Sequence, residues 1–330
     1  MNFTSNTQPQ IAVVISSYNR LPLLKNCIDA WLSWLPASDL SDKVLFAVFD
    51  AGSDDGSRAY LHDLENSKAL HLQVLLAQPG MESSFAAGVN YTVSQVLEQY
   101  PAIPYLFLYE TDNQLLGPEP LYASMQELES RPQLAACGFT VKNREGNYVG
   151  IGMDFPKIHH FLLGKNLVNR FQLEKPSYHY KQTASGHFFS YLDVVFTSPL
   201  LVKATAWQAI GGFDAERFPF SDVDVDFAKR LHIEGWQLGV LAMDGILHDN
   251  HGLESPWTKM RAQYFHRGRF CYFKKYQPVY LVFIWPFLLF FRHIAELVLS
   301  LIFIWKWDKK VSLMKSFYAL SKSVFNGYRF

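Results

Sequence analysis

At 330 residues the chain can bury one large core or two modest ones, and the length favours an enlarged catalytic domain with an appendage. Thirty Lys and Arg balance thirty Asp and Glu, so there is no strong basic excess of the kind nucleic-acid binding needs, and no nucleic-acid partner is expected. Cys27, Cys137 and Cys271 are too few and too scattered for a disulfide framework or a Cys-based zinc site, which suits a reducing cytoplasm.

Met1 to Gln10 is polar, and the apolar run Ile11 to Ile15 is too short for a secretory signal and lacks a preceding basic region. The catalytic part is therefore expected to remain cytoplasmic. Ile11 to Ser16 reads as a strand, followed by the loop Ser17-Tyr18-Asn19-Arg20 and a helix with Leu24, Ile28, Trp31 and Leu35 on one face. Val44 to Phe49 is a second strand, closed by Asp50-Ala51-Gly52-Ser53-Asp54-Asp55-Gly56-Ser57, a run of turn formers and helix caps. Leu72 to Leu76 is a third strand. After Gln78-Pro79-Gly80 comes a helix with Phe85, Val89, Val93, Val96 and Tyr100 inward.

The next strand begins at Tyr105 and ends on Glu110-Thr111-Asp112-Asn113. Its large apolar residues suit a strand covered on both faces, and ligands of parallel sheets gather at strand carboxyl ends. In an extended segment Glu110 and Asp112 point to one side, where they suit a hard cation or a sugar-phosphate; two acids alone suit a solvated loop better. Leu134 to Phe139 is a further strand. Strands alternating with helices at this spacing predict an α/β fold with a mostly parallel sheet.

From Thr140 to Tyr191 periodicity fades, and long connections folding over the site are expected, with no second independent core. Helical patterns return at Lys203 to Ile210 and Asp222 to Glu234, and a strand at Gln237 to Leu241. Asp226 and Arg230, four apart, read as an ordinary helix-surface ion pair.

These loops, taken in order over Ile11 to Gly252, resemble glycosyltransferase family 2, inverting enzymes of GT-A fold, and within it the rhamnosyltransferase-like branch. The resemblance implies a Rossmann-like, mostly parallel sheet flanked by helices. It also implies nucleotide-sugar contacts from Ser17, Tyr18, Arg20, Asp50, Asn90, Glu110, Thr111 and Asp112. Tyr18 matches the family's base-stacking aromatic and Asp50 the acid that bonds the base. Asn90 matches its Ala-x-Asn segment, and Glu110-Thr111-Asp112 its Asp-x-Asp motif, departing at the first position. Gly211-Gly212-Phe213-Asp214 matches the turn before the helix that carries the catalytic base. The family's Arg, aligned on Arg230, makes Asp224 that base; a register shifted by two makes it Asp222. His248-Asp249-Asn250-His251-Gly252 falls where members place a metal-binding His, with His251 the first choice and His248 the second.

The activity implied is transfer of a sugar from a nucleotide-sugar donor to a glycan or lipid-linked acceptor in bacterial-type surface polysaccharide synthesis. Asp112 and the His would hold Mn2+ or Mg2+. A sugar nucleotidyltransferase is the rival, but Ser16 to Leu21 lacks the Gly-rich, Lys-containing loop that cradles a triphosphate. A non-catalytic nucleotide-sugar binder is a third reading.

The catalytic domain is expected at 1–255 and a basic, aromatic helical extension at 256–330. Val279 to Phe291 has no charge but is shorter than the roughly twenty residues that span a bilayer, and Arg292, His293 and Glu296 interrupt any extension. Pro286 is expected to kink or break a helix there. Tryptophans and flanking lysines suit a hairpin of helices lying on the cytoplasmic side of the inner membrane, peripheral or monotopic. A buried helical pair in a dimer interface is the alternative.

Overall fold

The computed structural model describes residues 8–143, 145–149, 151–164, 168, 170–173, 178–248, 259–277, 279–303 and 307–326. Its strands are β1 Ile11–Ser17, β2 Val44–Asp50, β3 Leu72–Leu76, β4 Tyr105–Leu108, β5 Asn113–Leu115, β6 Leu134–Phe139, β7 Val141–Lys142 and β8 Tyr148–Val149. They continue as β9 Gly152–Met153, β10 Lys181–Gln182, β11 Phe188–Leu192, β12 Val194–Val195, β13 Leu200–Lys203, β14 Gln237–Ala242 and β15 Ile246–His248. The chain forms two compact units. The first comprises Met1–Phe155, Pro176–Ala215 and Asp224–Gly252, and the second Pro156–Lys175, Glu216–Val223 and Leu253–Phe330. The second unit therefore gathers two internal segments besides the stretch from Leu253 onward.

The first unit is built on a nine-stranded sheet in the order β10-β11-β14-β6-β13-β4-β1-β2-β3. Only β11 and β13 run against the other seven, so the sheet is mixed but mostly parallel in direction. Every residue of β2 is buried, as its unbroken run Val-Leu-Phe-Ala-Val-Phe-Asp requires of a strand covered on both faces. Helix Leu21–Leu32 buries Leu24, Cys27, Ile28 and Trp31, one apolar stripe at helical spacing. Trp31 meets Phe46, Phe107 and Tyr109 at ring-centroid distances of 5.1, 6.1 and 5.7 Å.

Helix Phe85–Gln99 is capped by Ser84, whose Oγ accepts from the Ala87 N–H. Gly88 lets it lie close against the sheet: a Cβ there would stand 2.6 Å from the Phe49 ring and 3.1 Å from Ser16 Oγ. Between Thr140 and Tyr191 the described residues include short strands and the six-residue helix Ile158–Leu163.

Two expectations are corrected here. The strand from Tyr105 ends at Leu108, and residues 110–113 form a turn in which the Asn113 N–H donates to the Glu110 carbonyl at 3.1 Å. Glu110 and Asp112 therefore meet through a turn and not through the two-residue repeat of a strand. Helix Val279–Phe303 runs on through Pro286, so the proline does not end it.

The second unit is helical, with Lys259–Tyr276, Val279–Phe303 and Trp307–Ser323 as its main elements. Phe161, Phe273 and Trp285 pack ring against ring at 5.0 to 6.1 Å, beside the buried His266 and His293 at 4.8 Å. Burial, with the neighbouring His293, Arg292 and Arg269, holds the His266 imidazole well below its usual pKa. Among the described residues no helix is long and apolar enough to cross a membrane.

Candidate functional site

The carboxyl ends of β1 and β2 are neighbours in register, Ser17 beside Asp50, so the two loops that follow them meet. They are knitted by side chains on both sides. The Asn19 N–H donates to Ser53 Oγ at 2.9 Å, the Asp54 N–H to Asn19 Oδ1 at 2.9 Å, and the Leu21 N–H to Asp55 Oδ2 at 2.8 Å. Asn19 takes a left-handed backbone at φ 49, a conformation Asn tolerates better than most residues. Asp50 is fully buried; its Oδ1 accepts from the Gly52 and Ser53 N–H groups, and Arg58 Nε lies 3.7 Å away. Tyr18 stands open above these loops at 59% exposure.

The end of β4 brings a second group. Asp112, only 4% exposed, lies 3.6 Å from Arg20 Nη1 and 3.8 Å from His248 Nδ1. The two-stranded pairing of β5 with β15 sets His248 opposite Asn113, and His248 Nδ1 bonds Asn113 Oδ1 at 3.0 Å. Asn113 Nδ2 donates to Ser198 Oγ at 2.7 Å, and Ser198 Oγ also accepts the Glu110 N–H at 2.7 Å. Asn113 and Ser198 thus hold the acidic turn to the sheet. Neither was assigned a role from the sequence; Asn113 borders the motif, whereas Ser198 carries no local signal.

Glu110 is crowded by protein although part of its surface is open. Burial first, then the charges of Asp112 and Asp224, together raise its carboxyl pKa to about 7 against the opposing charge of Arg20. Asp224 is therefore within electrostatic reach of the acidic turn. It lies in the first turn of helix Val223–Ile233, where its Oδ1 accepts from the Val225 N–H at 3.0 Å. That turn carries the positive end of the helix dipole, a setting that favours a carboxylate.

A raised acid pKa costs stability only once the unfolded state has released its proton. The folded state then loses stability as pH rises from about 4.5 to about 7, by an upper bound of about 3 kcal/mol. Glu110→Gln is accordingly expected to raise the melting temperature at pH 8 and to change it little at pH 4.5. Thermal melts of both proteins across that range check this, and equal pH dependence of the two would contradict it.

Asn90 does not face open space with its amide. Its Nδ2 donates to the Phe213 carbonyl and its Oδ1 accepts the Phe213 N–H, both at 2.8 Å, so it clamps the Gly-Gly-Phe-Asp turn. Gly212, at φ +75, is required there, because a Cβ would come within 2.7 Å of Asn90 Oδ1. Asp226 is a correction: it is fully buried and its pair with Arg230, Nε to Oδ2 at 2.8 Å, is only partly open on the Arg side, while Arg230 Nη1 also donates to the Ile210 carbonyl.

Asp222 belongs to the second unit. Its backbone is left-handed at φ 58, and its carboxylate is held by Arg269, with Nη2 donating to Oδ1 at 3.0 Å and Nε 2.9 Å from Oδ2. Burial raises its pKa and Arg269 opposes the rise. Both oxygens of this carboxylate lie against the Arg269 guanidinium.

Asp112 and His248 supply oxygen and nitrogen donors of the kind Mn2+ accepts, and the bond from Nδ1 to Asn113 leaves Nε2 as the basic nitrogen. The donor types suit a cation, although the ring nitrogen near Asp112 is the Nδ1 committed to Asn113. His251 lies outside the described residues, and among those described no group of three or more His, Cys, Asp or Glu could hold a metal ion.

No family model and no curated protein matches the chain. Solved structures do. The mannosyltransferase PcManGT from Pyrobaculum calidifontis, in complex with GDP-Man and Mn2+, aligns at a TM-score of 0.53 and 14% identity, covering 98% of this chain and 83% of that one. S. aureus TarS 1-349 in complex with UDP-GlcNAc aligns at a TM-score of 0.50 and 12% identity, covering 97% of this chain and 93% of that one. At such identities the likeness is one of fold: a mixed α/β, GT-A-like sheet flanked by helices, shared with glycosyltransferases of known structure.

Proposed function

We propose that the chain is an inverting glycosyltransferase, moving a sugar from a nucleotide-sugar donor to a hydroxyl of a glycan or lipid-linked acceptor in surface polysaccharide synthesis. The observation that carries the reading is that, of the buried polar atoms without hydrogen-bond partners found in several parts of the protein, Ser17 Oγ, Asp50 Oδ2 and Thr111 Oγ1 fall at the ends of β1 and β2 and in the turn that follows β4, with Arg20 and Asp112. Buried polar groups in native proteins are normally satisfied, so three such atoms on residues expected to touch a donor argue for a ligand with matching polar groups. Asp50 Oδ2 suits an N–H of the base, and the open Tyr18 ring suits its face. The fold shared with enzymes solved in complex with GDP-Man and UDP-GlcNAc supports the same reading.

Arg20 and the Asp112–His248 pair provide a setting for a diphosphate. Arg20 offers charge directly to phosphate oxygens, and Asp112 and His248 would hold a divalent cation. Held by Asp112 and His248, such a cation would supply Lewis acidity to offset charge on the leaving diphosphate. Asp224 accepts the proton of the acceptor hydroxyl, whose own pKa is far above neutrality. Glu110, with its pKa raised to about 7, stands beside these groups with its proton partly retained at neutral pH.

A thermal-shift panel of nucleotide-sugars, with and without Mn2+, tests the donor claim. One nucleotide class should stabilise the protein by about 2.7 kcal/mol at a hundred times its Kd, more strongly with the metal. A chain indifferent to every nucleotide-sugar at millimolar concentration would remove the proposal.

A further inference from the structure

Helix Val279–Phe303 carries two apolar arcs. Trp285, Leu289 and His293, spaced by four, are buried within the helical unit. On the other arc Phe283, Phe287, Phe291, Ile294, Val298 and Ile302 recur every three or four residues, and all six are exposed, Phe283 by 72% and Phe291 by 66%. At about 100° per residue they form one stripe about five turns long, and none of the positions on that arc carries a charge. The stripe continues beyond the helix, because the Phe325 ring, 54% exposed, lies 5.5 Å from that of Phe287. A contiguous exposed apolar row of this length marks an interaction surface.

The charge around it identifies the occupant. From Pro256 to Phe330 there are thirteen Lys and Arg against two Asp and Glu, a net charge of +11 in a chain whose total is zero. Lys274 and Lys275 are exposed at the end of the preceding helix, and Lys315 and Lys322 on Trp307–Ser323, which packs against Val279–Phe303. A second copy meeting this face would bring two strongly basic units together, whereas an anionic leaflet attracts the lysines and buries the aromatic stripe at once. No described helix is long and apolar enough to cross, so the apolar arc has to enter the leaflet from its surface.

We infer that the exposed arc of helix Val279–Phe303 docks on an anionic lipid leaflet, with the helix lying in the plane of the interface. The inference stands apart from the sugar-transfer reading and is tested without it. The full chain is sedimented with vesicles of phosphatidylcholine alone and with about one third phosphatidylglycerol, at low and high salt, alongside Phe287→Asp/Phe291→Asp and Lys274→Glu/Lys275→Glu.

Anionic vesicles should bind the native chain at least about tenfold more tightly than neutral ones, and salt should weaken the binding. The paired Phe variant should lose about tenfold or more in affinity, and the Lys variant should lose most of its preference for anionic lipid. Because the Phe positions are exposed, their variant should keep its melting temperature. Failure of the native chain to bind anionic vesicles overturns the inference, as does unchanged binding by the Phe variant. A lipid-free dimer that the Phe substitutions dissociate, and that vesicles leave intact, overturns it in favour of a second copy.

Discussion

Asp112→Ala is expected to lower turnover by about 10²- to 10³-fold, the scale on which removing one group that stabilises developing charge acts in buried sites. The same variant should bind nucleoside diphosphate with little or no benefit from Mn2+. Its carboxylate lies between Arg20 and His248, and Asn113 would still hold His248 after the substitution. Arg20, about one third exposed, can turn to water, so the fold should survive. Calorimetric titration of UDP and GDP with and without Mn2+ checks the claim. Undiminished metal-dependent affinity in the variant would show that Asp112 holds no cation.

Asp224→Asn should leave donor affinity nearly intact and remove turnover by about 10²- to 10⁴-fold, the usual range for a positioned general base. Asp222→Asn should behave differently. Asn tolerates the left-handed backbone at φ 58, so the substitution removes charge without imposing strain. It leaves Arg269, itself buried, without its counter-charge, and breaking a buried pair of this kind costs about 3 to 5 kcal/mol. The expected signature is therefore a lowered melting temperature with turnover per folded molecule largely kept. Steady-state kinetics corrected for folded fraction separate the two. Loss of turnover at Asp222 with Asp224 silent would move the base by two residues.

Strands of the first half were legible because they are apolar runs ended by turn formers, β1, β2 and β4 almost wholly covered and Leu72–Leu76 only partly. Leu72–Leu76 and Leu134–Phe139 have the expected bounds, and β2 extends the expected run only by Asp50. The loops were legible for a related reason: Gly52, Gly56 and the short acids between them have few uses other than tight turns and caps.

What stayed hidden depends on distant pairing. Leu200–Lys203 is four residues long, merges directly into a helix, and is a strand only because β4 and β6 flank it. His248 meets the acidic turn through two three-residue strands, and Ser198 supports it across 85 positions of chain. The burial of Asp226 could not be read from its spacing to Arg230, since an i, i+4 pair looks the same on a wet face and a dry one.

Sugar transfer at this site releases a nucleoside diphosphate from the nucleotide-sugar, and that release can be followed directly. Purified full-length chain, given the donor class that stabilises it and a hydroxyl-bearing glycan or lipid-linked acceptor, should release diphosphate only when Mn2+ or Mg2+ is present. Asp112→Ala and Asp224→Asn should each abolish the signal, and the product should carry the inverted anomeric configuration. Release of pyrophosphate from a nucleoside triphosphate and a sugar phosphate, or tight donor binding with no release under any acceptor, would contradict the account.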